Sequence, residues 1–211
     1  MRRSGNVTIG RYLKNQSLLI HTCCAPCVSY VYEMFAGSHD VTVFYYNPNI
    51  MPRPEYDRRL SELERFSSLK GFPLVVGEYD VREWVRRVRQ YRFSGERSRR
   101  CWECYRMRLE ESFKKAAGLG LAAVTTSLSI SPHKDAAMIN RIGKELEGKH
   151  GVRFIEGDFK KGEGYRKSAA LSRIHGFYRQ NYCGCIYSKL ERDRNSAWSN
   201  KAAQFTQRIS S

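Results

Sequence analysis

The chain has 211 residues, with 37 Lys and Arg against 21 Asp and Glu, a formal net charge of +16 and a pI near 9.7. That length suits one α/β domain with a full core, and no apolar run is long enough for a bilayer span or a signal peptide, so a soluble, cytoplasmic protein is expected. The charge excess predicts a polyanionic partner, nucleic acid in preference to a membrane surface.

Residues 1–15 are basic and polar and read as a flexible arm. Leu18–Thr22, LLIHT, reads as a short buried strand, and PCVSYVYEMFAG after it has helical apolar spacing closed by Gly37. Val41–Asn47 is β-branched and aromatic, hence a second strand, ending in the turn-rich NPNIMPRP. A helix is expected from Glu55 to about Lys70, a third strand over Pro73–Asp80, and a helix with a basic outer face over VREWVRRVRQY. The basic loop that follows becomes helical at or just after CWEC. Ala122–Ile130 reads as a fourth strand, SPHKDAAMINRIGKELEG as a helix opened by Ser131 and Pro132, and VRFIEGDF as a fifth strand. Residues 16–188 thus read as a single α/β domain, expected to be the catalytic one if the groups considered next form a metallocentre, followed by a polar tail at 189–211.

Alternating strands and helices imply a parallel, doubly wound sheet with right-handed crossovers and ligands at the carboxyl ends of the strands. The seven cysteines fall there in three groups: Cys23, Cys24 and Cys27; Cys101 and Cys104; Cys183 and Cys185. Without an export signal they read as ligands or redox groups rather than structural disulfides. Cys23 and Cys24, diverging at a strand end, and the Cys101–Cys104 pair opening a helix make a four-thiolate set suited to an iron-sulfur cluster. Spacing alone leaves a structural zinc equally open, although zinc usually serves domains that lack a core. A CxC pair with Gly between closes a disulfide ring only under strain, which suits an electron relay. Cys183 and Cys185 could also serve a second metal, perhaps with Cys27, or be inert.

Arg86–Cys101 interleaves Tyr91 and Phe93 with arginines, so that phosphates can pair with Arg97, Arg99 and Arg100 while a base stacks. Tyr45, Asn47, Asn49 and Ser129 lie at strand ends and offer polar groups for a hydroxyl-rich base. His133 could donate a proton or merely bond within the start of a helix. The glycine- and lysine-rich GDFKKGEGYRKS lacks the order of a nucleotide-hydrolysing phosphate loop, and no pyrophosphatase loop follows the first strand.

LLIHTCCAPC, VFYYNPNI, RCWECYRMRL, TTSLSISPHKD, DFKKGEGYRKS and YRQNYCGCIYS occur in that order from Leu18 to Ser188. Together they resemble the QueH family of epoxyqueuosine reductases, the cobalamin-independent type. The resemblance implies a sheet of the HUP, or adenine nucleotide alpha-hydrolase-like, class. The implied reaction is reduction of epoxyqueuosine to queuosine at the tRNA wobble position, the last step of queuosine biosynthesis. It further implies a 4Fe-4S cluster on Cys23, Cys24, Cys101 and Cys104, a redox-active pair at Cys183 and Cys185, and a second, mononuclear iron for which Cys27 is the candidate ligand. Partners are then a tRNA carrying epoxyqueuosine and an electron donor that the residues do not identify. The rivals are an iron-sulfur tRNA thiolase, which should carry the missing pyrophosphatase loop, and a non-enzymatic zinc-binding nucleic-acid module.

Overall fold

The computed structural model describes residues 16–194; the basic arm at 1–15 and the tail beyond residue 194 lie outside the described residues. Five parallel strands form one sheet: β1 (Gln16–Thr22), β2 (His39–Tyr45), β3 (Leu74–Val76), β4 (Ala123–Thr126) and β5 (Arg153–Phe154), in the order β3-β2-β1-β4-β5. The central strand β1 has a fully buried apolar run, Leu18, Leu19 and Ile20, as a strand covered on both faces requires. Chain order reverses between β1 and β4, which places a crevice beyond their carboxyl ends.

The helices are α1 (Ala25–Phe35), α2 (Arg53–Lys70), α3 (Val81–Val88), α4 (Arg99–Gly118), α5 (Ala136–His150) and α6 (Gly164–Ile174). Helix α1 packs against α2 and α6, and α4 against α3 and α5, so the sheet is covered on both sides. Several predicted elements start or stop elsewhere: β3 and β5 are shorter than the Pro73–Asp80 and VRFIEGDF runs, and three other boundaries have an identifiable position or cause. The fourth strand ends at Thr126, because the Thr126 hydroxyl accepts from the Leu128 N–H and turns Ser127–Ile130 into a 3-10 helix. Helix α5 opens at Ala136 rather than Ser131, since the Asp135 carboxylate caps the Met138 N–H at 2.9 Å. Helix α4 begins at Arg99, ahead of the CWEC motif, so both of its cysteines sit in the first turn and a half.

Residues 186–194 are helical. They begin before the predicted polar tail and are held to the domain, because Glu191 pairs with Arg100 at 2.9 Å and the Arg192 guanidinium lies over the Tyr182 ring. Among the described residues, no helix is long and apolar enough to cross a membrane.

Candidate active site

Strand β1 delivers Cys23 and Cys24 directly to the crevice, and three side chains lock the strand end in place. The Asn47 amide donates to the Thr22 carbonyl at 2.9 Å, the Ser127 hydroxyl donates to Thr22 Oγ1 at 2.8 Å, and Thr22 Oγ1 donates to the Cys24 carbonyl at 3.1 Å. Cys24 caps α1, accepting from the Cys27 N–H at 3.3 Å. The Cys23, Cys24 and Cys27 sulfurs lie within 4.8 Å of one another, a buried triad able to hold a metal ion. Cys24 and Cys27 form a disulfide, a pairing the spacing argument does not anticipate, and Cys23 Sγ is 3.8 Å from Cys24 Sγ and 3.6 Å from Cys27 Sγ.

Helix α4 brings the second group. Cys101, Cys104, Tyr105 and Arg108 follow one helical face at spacings of three, four and seven, and all four line a narrow inner cavity with Trp84, Arg100, Lys134, Cys183 and Cys185. Burial pushes the Cys101 thiol up to about 11, helped by Cys104 and Cys183, and burial also raises Cys104. Arg108 is 1% exposed, and its Nη2 donates to Asn47 Oδ1 at 2.6 Å. No carboxylate pairs with it among the described residues. Burial works against its charge, but the Cys104 and Cys23 sulfurs more than offset that and raise its pKa.

The inner cavity wall also carries polar groups without protein partners. The Trp84 indole N–H and the Arg108 Nε–H face the Cys104 sulfur without reaching a normal acceptor among the described residues, and Arg100 Nε and Asn49 Oδ1 are unpaired too. Buried donors left unpaired are costly, so the three N–H groups of this wall suit acceptors that side chains do not supply, while Asn49 Oδ1 is left to accept. Thiolate or sulfide sulfur meets that description.

The CxC segment closes the site from the opposite side. Arg59, buried on α2 and paired with Glu55 at 2.7 Å, donates to the Cys183 and Tyr182 carbonyls, both at 3.3 Å. Gly184 has φ of +112°, and a Cβ there would lie 2.8 Å from Ile50 and 3.1 Å from Arg59, so only glycine fits between the two cysteines. Donation from the Cys185 thiol, together with the nearby Lys134 charge, holds the Cys183 thiol below its usual range against the opposing effect of burial. Donating to that thiolate raises Cys185 well above the thiol range, and burial adds to the shift. Cys183 is half-buried and faces the crevice, whereas Cys185 is buried behind it.

Outside this centre opens a cavity of ≈ 880 Å³, roomy enough for a nucleoside, lined among others by Cys27, Glu96, His133, Lys134, Gln180 and Cys183. It shares Glu96, His133, Lys134 and Cys183 with the inner cavity. The Gln180 amide donates to Cys24 Sγ at 3.1 Å from the cavity wall.

Several residues proposed from the sequence as substrate contacts are engaged elsewhere. Tyr45 is fully buried and donates to the Tyr56 carbonyl at 3.0 Å, and Asn47 is spent on Thr22 and Arg108. Ser129 is buried and accepts from the Phe159 N–H at 3.4 Å. Arg100, 2% exposed, donates to the Arg92 carbonyl at 3.0 Å and pairs with Glu191, which removes it from solvent and from phosphates. Arg97 is exposed with φ of +60°, and its guanidinium clamps the Pro132 and His133 carbonyls at the cavity rim. Arg99 is exposed, pairs with Glu103 at 3.2 Å and lies over the Trp102 ring. Asn49 reaches the inner cavity and His133 reaches both. Arg59, Arg108, Lys134, Trp84 and Gln180 were not singled out from the sequence. Arg108 was legible as the fourth position on the face of Cys101 and Cys104; the others come from distant segments and carried no local signal.

A protein of Thermotoga maritima named epoxyqueuosine reductase QueH is 38% identical over 185 residues, covering 86% of this chain and 94% of that protein. Its namesake in Streptococcus pyogenes is 36% identical over 178 residues, covering 82% of this chain and 70% of that one. Among solved structures, a predicted subunit of a tRNA methyltransferase from Methanocaldococcus jannaschii superimposes with a TM-score of 0.51 over 74% of each chain at 12% identity, a likeness of fold alone. Residues 18–191, which include every thiol described above, match one family along their whole length, and the chain belongs to that family, epoxyqueuosine reductase QueH.

Proposed function

We propose that the protein reduces epoxyqueuosine to queuosine at the wobble position of tRNA, with the nucleoside held in the ≈ 880 Å³ cavity against Cys183. The observation that carries this is the position of the Cys183–Cys185 pair, whose outer thiol lies on the wall shared by both cavities of a chain in this family.

Converting an epoxide to an alkene removes one oxygen as water and consumes two electrons and two protons. Closing the Cys183 thiolate and the Cys185 thiol into a disulfide releases two electrons and one proton, so one pair supplies the electrons of one turnover and the second proton comes from a neighbouring acid. An electron donor must then reduce the disulfide. Lys134 and His133 border the same wall and can hold a proton near the departing oxygen, while Arg59 and Gly184 keep the two sulfurs in register.

The metallocentre in this reading is a 4Fe-4S cluster on Cys23, Cys24, Cys101 and Cys104, with Cys27 as candidate ligand to a second iron. The residues suit it. The Cys23, Cys24 and Cys27 triad could hold a metal ion, Arg108 is a buried cation with no carboxylate beside it among the described residues, and the Trp84 and Arg108 donors have no partner there among those residues. Cys101 and Cys104 line the inner cavity, whereas Cys23, Cys24 and Cys27 form a separate group, so one cluster on all four ligands would require the two groups to approach and the electron donor to reduce the Cys24–Cys27 disulfide with two electrons. When bound, such a centre supplies single-electron transfer and Lewis acidity.

The test is anaerobic purification, iron and acid-labile sulfide analysis, and conversion of epoxyqueuosine-containing tRNA. Iron with sulfide and formation of queuosine are expected. A colourless zinc protein without turnover would refute the reading.

A further inference from the structure

The ring of Phe93 is 87% exposed, on the turn joining α3 to α4. A single apolar side chain left in water needs no explanation by itself; what sets Phe93 apart is how its turn is held. This turn is not loose. Arg100, itself buried, holds the Arg92 carbonyl at 3.0 Å, the Ser94 N–H donates to the Tyr91 carbonyl at 3.0 Å, and Arg97 clamps the Pro132 and His133 carbonyls at 2.5 and 3.3 Å. Glu96 accepts from the Ser188 hydroxyl at 2.7 Å. Both ends of the turn are anchored to the catalytic cavity, and Phe93 is presented between the anchors.

The surroundings are cationic and aromatic by turns. The Arg92 guanidinium lies 4.5 Å from the Phe93 ring centre, and Arg99 lies 4.2 Å from that of Trp102 and 6.0 Å from that of Tyr91. The nearby carboxylates are occupied: Glu83 by Arg86 and Arg87, Glu103 by Arg99, and Glu96 by Ser188. Arg89 and Arg92 are exposed, and no carboxylate pairs with either among the described residues. Phe93 precedes Glu96 by three residues, so its Cα lies within about 11 Å of the Cα of a cavity-lining residue.

We infer that this turn is a docking surface for single-stranded RNA, with Phe93 stacking on an unpaired base next to the nucleoside in the cavity and Arg89 and Arg92 taking the flanking phosphates. The inference rests on the tRNA reading of the cavity. It favours RNA over a protein because the ring is flanked by unneutralised arginines rather than by other exposed apolar side chains. A flat ring between cations matches a base between phosphates.

The test is fluorescence anisotropy with an unmodified anticodon stem-loop RNA, repeated across a salt series on the full chain. Phe93→Ala should weaken binding by about tenfold, in the range of one lost stacking contact, without changing the salt slope. Phe93→Trp should keep wild-type affinity, and Phe93→Leu should bind as weakly as Phe93→Ala. Arg92→Ala should flatten the slope by about 0.7 to 0.9 unit. Since the Phe93 ring makes no buried contact, its variants should melt with the wild type. Full affinity in Phe93→Leu or Phe93→Ala, while the wild type binds RNA, overturns the stacking role and leaves the proposed function standing. Loss of turnover in Phe93→Ala with RNA affinity intact would also overturn it, assigning the ring to a protein electron donor. A wild type that binds no RNA at all overturns the tRNA reading itself.

Discussion

Arg108→Met isolates what the buried guanidinium is for, because its effect should change with the state of the thiols. Arg108 is enclosed, bonds Asn47 at 2.6 Å, and faces Cys23, Cys104 and Cys183 with no carboxylate beside it among the described residues. In metal-free, reduced protein, burial keeps the Cys101 and Cys104 thiols protonated at neutral pH, so the cation lacks the thiolate counter-charges that metal loading creates on α4. Methionine fills a similar volume without a charge. Removing the lone cation recovers several kcal/mol of desolvation, of order ~3. Leaving Asn47 Oδ1 unpaired costs ~1–3 kcal/mol. The two nearly cancel, and the metal-free variant should melt within a few degrees of wild type. With metal bound the sulfurs are thiolates, and deleting the cation beside them costs ~3–5 kcal/mol. For a chain of this size that is roughly 6–20 °C in Tm. Thermal unfolding followed by circular dichroism, on wild type and variant each with and without metal, gives the difference of differences. An equal shift in the two states would show that Arg108 serves packing alone and that the thiols are not its counter-charge.

Metal loading should depend on pH with a defined sign. Because burial raises the Cys101 thiol to about 11 and raises Cys104 as well, metal must displace protons, so apparent affinity for iron should climb with pH from neutrality toward about 11; a flat profile in a chelator competition would contradict these shifts. Gly184→Ala places a methyl group 2.8 Å from Ile50 at φ of +112°, and the combined backbone and overpacking cost of ~2–5 kcal/mol should appear as loss of turnover together with a lower urea midpoint. Wild-type behaviour in both would mean that the CxC segment is free to move. Cys183→Ser, Cys185→Ser and the double variant should each retain iron and RNA affinity while failing to form queuosine, with either single change almost as harmful as both, because a lone thiol cannot close the ring. Loss of iron alongside activity would instead make the pair a metal ligand set.

Much of the fold was legible because it follows from local pattern. The apolar run before Cys23, the β-branched run ending at Asn47 and the amphipathic stretches between strands fix a parallel α/β order, and the thiols at strand ends follow from it. Boundaries were read less well where a single side chain decides them, as with the Thr126 hydroxyl that stops β4 and the Asp135 cap that opens α5. Candidate contacts chosen for polarity fared worst. Tyr45, Asn47 and Ser129 sit at strand ends as expected, yet the polar groups of a buried strand end must be satisfied before any ligand arrives, and these three satisfy the protein.

The basic loop makes the same point with charge. Arg100 and Arg97 belong to one arginine-rich run in the sequence, but one is buried against Glu191 and the Arg92 carbonyl and the other is clamped to backbone at the cavity rim. Composition registers all of them equally as positive potential, whereas the fold divides them into cations that build the rim and cations left for a partner. The division has a physical order. A guanidinium at the start of α4 that points inward must find oxygen, because burial without it is costly, and in doing so it fixes the turn that carries Phe93. The arginines closest to the thiols therefore shape the site, and those one turn further out, Arg89 and Arg92, stay exposed with no carboxylate paired to them among the described residues.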